Sequence, residues 1–110
     1  MNKRKIGVFY KNLEWADTFF ETFRWLYADI NYHFIKHKGI FFCNILNGPS
    51  IKILKLNTPN VCGERFTEVY LEDGISIEDF NFVSAYCYNS KPKIIKTPTE
   101  MVEVLTKNAD

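Results

Sequence analysis

Apolar residues fall in short blocks along this chain, and their spacing predicts the elements. Ile6-Gly7-Val8-Phe9-Tyr10 is too short a run for a helix and reads as a strand. Asn12 is suited to cap a helix. Leu13, Ala16, Phe20, Phe23, Tyr27 and Ile30 then recur at steps of three and four, which places them on one face of a helix over about 13–30. Trp25 falls on the opposite face with Thr18, Glu21 and Asp29. It is either covered by a later segment or an exposed contact residue. Tyr32 to His37, Gly39 to Asn47 and Ile51 to Leu56 are rich in aromatic and β-branched residues and read as three strands of a meander. Asn47-Gly48-Pro49-Ser50 supplies a turn between the second and third.

The second half obeys the same logic. Phe66 to Leu71 alternates as a strand, with Thr67, Val69 and Leu71 on one side and Glu68 and Tyr70 on the other. Ser76 and Asp79 form a capping-box pair that opens a helix over about 77–89, burying Phe80, Val83 and Cys87. Ile94-Ile95 suggests a short strand. Thr97-Pro98-Thr99-Glu100 combines a capping Thr, Pro at the first helical position and Glu at the third, ahead of Met101, Val104 and Leu105. The expectation is a single domain over 1–110 of the α+β class. It has a mostly antiparallel sheet of about five strands, one long N-terminal helix and two shorter C-terminal helices.

Composition narrows the class. The hydrophobic fraction of 46% and aromatic fraction of 16% argue for a packed core and against disorder. No apolar run approaches the ~18–20 residues of a membrane span, and the basic start, Met1-Asn2-Lys3-Arg4-Lys5, leads into a strand and Lys11 rather than a signal peptide. Cys43, Cys62 and Cys87 are widely spaced and odd in number, which suits a reduced, cytoplasmic setting. Net charge is +1, but residues 1–58 carry nine basic and four acidic side chains, whereas residues 59–110 carry five and nine. The fold either interleaves these halves or presents a basic face to nucleic acid or an acidic partner. Lys, Asn, Ile, Phe and Tyr are frequent and Ala scarce, a bias towards A/T-rich codons that points to a low-GC bacterium or its phage.

The most distinctive stretch is Val61-Cys62-Gly63-Glu64-Arg65-Phe66-Thr67-Glu68-Val69-Tyr70-Leu71-Glu72-Asp73, preceded by Asn47-Gly48 and Ile51-Lys52-Ile53. Residues 39–80 resemble the second half of the phage large-terminase-type P-loop ATPase core, around its acidic strand. The resemblance implies an acid that binds Mg²⁺ and a second that polarises water. Two departures matter. The family's acidic pair runs Asp then Glu, whereas here Glu72 precedes Asp73. The family's phosphate loop should come directly after the first strand, where this chain has Tyr10-Lys11-Asn12-Leu13-Glu14 without Gly. The alternative reading of Glu72-Asp73 is a solvated strand end before Gly74, with Arg65 a structural partner of Glu64, Glu68 or Glu72.

Two other chemistries compete with this one. Val8-Phe9-Tyr10-Lys11-Asn12-Leu13 looks like the first ribonucleoprotein motif of an RNA-recognition domain, and Lys38-Gly39-Ile40-Phe41-Phe42-Cys43-Asn44-Ile45 like a damaged second one. That resemblance implies Phe9 and Phe42 as base stackers; the competing reading packs both in the core. Lys3, Arg4, Lys5, Lys11, Lys36 and Lys38, with Lys52 and Lys55, would supply the cations of a nucleic-acid surface. His33 and His37 on a strand lie ~13 Å apart, too far to share a metal.

A sheet kept without its catalytic loop serves best as a binding surface. The expectation is therefore a small non-enzymatic phage-type protein, without cofactor or metal, that binds and modulates a host or phage protein. The concrete form is inhibition of a nucleic-acid-handling or defence complex in the manner of anti-CRISPR proteins. Candidate contacts are Trp25, Glu64, Arg65, Glu68, Glu72, Asp73, Glu78 and Asp79. The alternative is a nucleic-acid-binding module using the basic N-terminal half.

Overall fold

The computed structural model describes residues 4–26, 32–45, 49–56, 66–85 and 91–107. In chain order these form β1 (Lys5–Tyr10), α1 (Leu13–Leu26), β2 (Tyr32–His37), β3 (Ile40–Ile45), β4 (Ser50–Lys55), β5 (Glu68–Glu72), α2 (Ile77–Ser84), β6 (Lys93–Ile95) and α3 (Pro98–Lys107). The strands make one sheet in the order β2-β3-β4-β1-β5-β6.

The α+β class holds, but the sheet is mixed rather than mostly antiparallel, and it has six strands. β2 with β3 and β3 with β4 are antiparallel. β1 pairs in parallel with β4 on one side and β5 on the other, and β5 pairs in parallel with β6. A parallel neighbour requires a crossover. Between β1 and β4 that crossover is α1 and then the β2–β3 hairpin. β1 is the central strand, and from Ile6 to Tyr10 every residue is buried, because the strand is covered on both faces.

The faces differ in cover. Ile6, Val8 and Tyr10 point to the face shared with Phe41, Cys43, Ile51, Ile53, Tyr70 and Ile95, on which α1 and α3 pack. Phe9, Leu54, Val69 and Leu71 point to the other, which Phe66 and Val83 of α2 cover, with Phe80 and Phe82 alongside. Phe66 lies across Gly7: a Cβ there would stand 2.7 Å from its ring, so only glycine lets this ring seal the central strand. Phe9 meets Phe66 edge-on at 6.2 Å.

α1 is described from Leu13 to Leu26; residues 27–31, including Tyr27 and Ile30 of the expected apolar face, lie outside the described residues. Its buried positions are Trp15, Ala16, Phe19, Phe20 and Phe23. Leu13, expected on that face, is 57% exposed. The reason is that α1 packs against α3 as well as the sheet, so a second row, Trp15 and Phe19, is also buried. Trp15 Nε1 donates to the carbonyl of Lys96 at 3.3 Å, tying α1 to the lead into α3.

The predicted starts of the later helices are present. Ser76 and Asp79 form a reciprocal capping box on α2, and Thr97 Oγ1 accepts from the Glu100 amide at 3.1 Å at the head of α3. Val83 is buried and Phe80 half-buried, while Cys87 lies outside the described residues, as do Cys62 and the Asn47-Gly48 half of the expected turn. Cys43 is a buried thiol, its pKa raised by burial. Among the described residues, no helix is long and apolar enough to cross a membrane.

Candidate functional site

In sheets with parallel strands, ligands favour the crevice beyond the strands' carboxyl ends, where successive connections leave for opposite faces. Here that place lies between β1 and β5. β1 leads into α1 on one face, and β5 leads into α2 on the other. Lys11, Asn12, Glu72, Asp73 and Gly74 converge there.

Glu72 fills the crevice itself. It is 5% exposed, the buried charged residue among the described core positions. One carboxylate oxygen, Oε1, accepts from the backbone amides of Lys11 at 2.8 Å and Asn12 at 2.9 Å. The other, Oε2, accepts from Asn12 Nδ2 at 2.6 Å. These amides sit at the amino end of α1, where the helix dipole favours an anion. The carboxylate is thus held as a phosphate would be held. Asn12 stands at the helix start as expected, but its side-chain amide is committed to Glu72. Lys11 Nζ crosses the mouth to donate to the Gly74 carbonyl at 2.5 Å, and the Asp73 amide donates to the Ile95 carbonyl at 3.0 Å.

This corrects the reading of Glu72-Asp73 as a solvated strand end. Asp73 is exposed, but Glu72 is an internal ligand of the β1–α1 turn. Among the described residues, no group of three or more His, Cys, Asp or Glu is arranged to hold a metal ion. The role of Glu72 leaves no local mark in the sequence, because it depends on β5 lying beside β1, which only the parallel pairing establishes.

At the opposite end of β1, Arg4 and Glu68 form a two-pronged ion pair, with Nε–Oε2 at 2.5 Å and Nη2–Oε1 at 2.7 Å. The Tyr70 hydroxyl donates to Glu68 Oε1 at 2.7 Å. The Arg4 hydrogen bonds hold the Glu68 carboxyl below its ordinary pKa, against the opposing effect of burial, with Tyr70 adding to the depression. Arg4 is raised chiefly by the same bond. Tyr70 is raised by burial first and then by Glu68. Because the folded pKa of Glu68 lies below the unfolded one, its stabilisation is complete above about pH 4.5 and is lost as pH falls through the folded value. Glu68→Gln should therefore flatten the acid limb of the stability profile and cost about 2 kcal/mol near neutrality. Urea unfolding of both proteins from pH 7 to pH 3 measures this, and parallel acid limbs would refute it.

The remaining sequence candidates are scattered. Trp25 is 77% exposed on α1. Glu78 is exposed, and Asp79 is engaged in its capping box. Lys36 pairs with Asp17 of α1. Lys5 and Lys38 are exposed at different ends of the sheet, Lys38 in the β2–β3 turn with φ +48°. Lys3, Glu64 and Arg65 lie outside the described residues. The supposed basic face is thus divided: Arg4 and Lys11 are tied to the acidic half, and Lys36 to α1. Of the two supposed base stackers, Phe9 is wholly buried and excluded, whereas Phe42 is half-buried on the far face of the sheet.

His37 is exposed on β2. Phe42 and Lys52 form a pair that sequence spacing alone left unconnected, with Lys52 Nζ 5.0 Å from the centre of the Phe42 ring. Compared with known protein families, curated proteins and solved structures, this chain matches no family model, no curated protein and no solved structure.

Proposed function

We propose that this is a small non-enzymatic, phage-type protein that binds another protein and modulates it, with a nucleic-acid-handling or defence complex as the target class. The observation that carries the reading is the exposed Trp25 and Leu26 in the last turn of α1. A tryptophan costs apolar hydration when left in water, and large aromatic residues are the usual anchors of protein interfaces. Arg24, paired with Glu21 on the same helix surface at 3.3 Å, would supply a polar rim.

The β1–β5 crevice supports the non-enzymatic part of the reading. The amides that would cradle a nucleotide phosphate are already saturated by Glu72. A terminase-type ancestry that lost its phosphate loop would account for an acidic strand retained beside the first strand, with its acid turned to a structural task.

Affinity capture from bacterial lysate, and then titration of the captured protein against wild type and Trp25→Ser, tests this. The wild type should bind and Trp25→Ser should weaken binding by at least about tenfold, as expected for an interface anchor worth more than ~1.4 kcal/mol. The variant should unfold at the wild-type urea midpoint, since Trp25 contributes little to the core. ATP turnover by the purified protein, or equal binding by the variant, would overturn the proposal.

A further inference from the structure

The two edges of the sheet differ. β6 is three residues long, follows Pro92 and carries Lys93, features that blunt an edge against further pairing. β2, at the other edge, pairs with β3 at all six of its residues from Tyr32 to His37 without a bulge, and it contains no Pro. Its lysine, Lys36, is paired with Asp17 of α1. Ile35 is 55% exposed, and Phe34 is half-buried, with Phe20 and Phe23 of α1 against it. β2 is therefore a long, regular edge without the usual guards.

Hydrogen bonding fixes which backbone groups β2 turns outward. The Ser50 amide donates to the Arg4 carbonyl and the Leu56 amide to the Tyr10 carbonyl, so Ser50, Lys52 and Leu54 of β4 point to β1. Ile51 and Ile53 then point to β3, where they pair with Cys43 and Phe41. Successive residues alternate in this respect, so Phe42 and Asn44 bond to their β2 partners, Ile35 and His33. The β2–β3 turn agrees. Lys38 and Gly39 both have positive φ, and a two-residue turn of that kind closes on a hydrogen-bonded pair, here His37 and Ile40. Tyr32, Phe34 and Lys36 thus direct their N–H and C=O groups away from β3.

We propose that β2 pairs antiparallel with β2 of a second copy of this chain, giving a dimer built on one continuous sheet. Only the outward-directed residues can bond across such a seam. The register that uses all three sets Phe34 opposite Phe34 and Tyr32 opposite Lys36. It makes roughly six main-chain hydrogen bonds, two from each of three pairs. Opposed residues share a face, so the two Phe34 rings meet on the α1 side. The aromatic layer of Phe41, Phe20 and Phe34 then runs through the seam into the second copy. No like charges fall opposite one another. This self-match selects a second copy over a foreign strand. A twofold axis normal to the sheet relates the copies, so both α1 helices, and with them both Trp25 side chains, lie on the same side. The protein-binding proposal does not depend on this pairing, and either can fail alone.

Sedimentation equilibrium of the full chain measures the assembly, and hydrogen exchange followed residue by residue locates the seam. The chain should sediment at twice its own mass at high concentration. The amides of Phe34 and Lys36 should be protected there and lose protection on dilution. Those of Ile35 and His37, bonded to β3, should stay protected throughout. Lys36→Pro removes an outward donor and keeps the bonds to β3; it should weaken dimerisation at least about tenfold. Lys36→Gln, which removes the ion pair with Asp17 but keeps the backbone donor, should dimerise as wild type does. If Lys36→Pro proves unstable by urea unfolding, the wild-type exchange pattern decides. A monomer at every concentration up to about 1 mM would overturn the proposal. So would a dimer in which the Phe34 and Lys36 amides exchange freely, or one that a folded Lys36→Pro leaves intact.

Discussion

Replacing Glu72 with Ala is expected to destabilise the protein by about 3 kcal/mol, a large fraction of the ~5–15 kcal/mol that holds a domain of this size together. The side chain contributes little apolar packing. Its worth lies in three hydrogen bonds to one buried carboxylate, from the amides of Lys11 and Asn12 and from Asn12 Nδ2. Bonds to a charged acceptor contribute about 1.5–3 kcal/mol each, but they are not additive. Lys11 and Asn12 are themselves exposed, so water recovers part of what the two amides lose, which brings the total down. Glu72→Gln keeps one acceptor oxygen for the backbone and should cost about half as much. Urea unfolding of the three proteins measures the series. Added acetate should restore part of the loss in Glu72→Ala, because the vacated amides still face an anion at a helix start, and do little for wild type. A cost under about 1 kcal/mol for Glu72→Ala would mean that the β1–α1 turn closes without its carboxylate.

The role of Glu72 shows where reading the sequence stops. Strands and helix starts were legible because they depend on neighbours in the chain. Alternation placed Val69 and Leu71 on one side of β5 and Tyr70 on the other, and they pack in the two opposing cores. Ser76 with Asp79 and Thr97 with Glu100 marked two helix starts within a few residues. Pairing between distant strands leaves no such local trace. The meander of β2, β3 and β4 suggested an antiparallel sheet, and nothing nearby reported that β1 inserts between β4 and β5. One signal was present. The unbroken apolar run Ile6 to Tyr10 is what a strand covered on both faces requires, and such a strand is central in a sheet with parallel neighbours.

Partners far apart in sequence were hidden for the same reason. Glu68 is bound by the guanidinium of Arg4, 64 residues away, a partner that no neighbouring residue announces, while Arg65 lies outside the described residues. Trp15 and Phe19 escape a single helical stripe because such a stripe accounts for one packing surface, and α1 has two, the sheet and α3. Of the candidate surfaces, Trp25 was legible from helical phase alone. Phe42 was legible as an aromatic in a strand, but its face could be assigned only once Phe41 was known to point to α1.

Replacing Phe41 with Ala should be the most damaging single truncation in the hairpin. Phe41 is fully buried and stands edge-on to Phe20 of α1 at 4.9 Å, with Tyr10 at 6.2 Å. Phe20 in turn meets Phe34 of β2 at 5.8 Å, and Phe34 meets Phe23 at 6.4 Å. These rings hold β2 and β3 against α1. Truncation loses the ring's transfer free energy and leaves a cavity between α1 and β3 that the sheet is too regular to collapse, a cost of about 3–5 kcal/mol. Phe41→Leu refills most of the volume and should cost about 1–2 kcal/mol. Urea unfolding gives both values. Hydrogen exchange adds a sharper expectation: in Phe41→Ala the amides of β2 and β3 should lose protection before those of β1 and β5, because the central strand keeps its parallel partners and the cover of Phe66 and α2. Equal loss across the sheet would show that the hairpin and the parallel centre unfold as one unit.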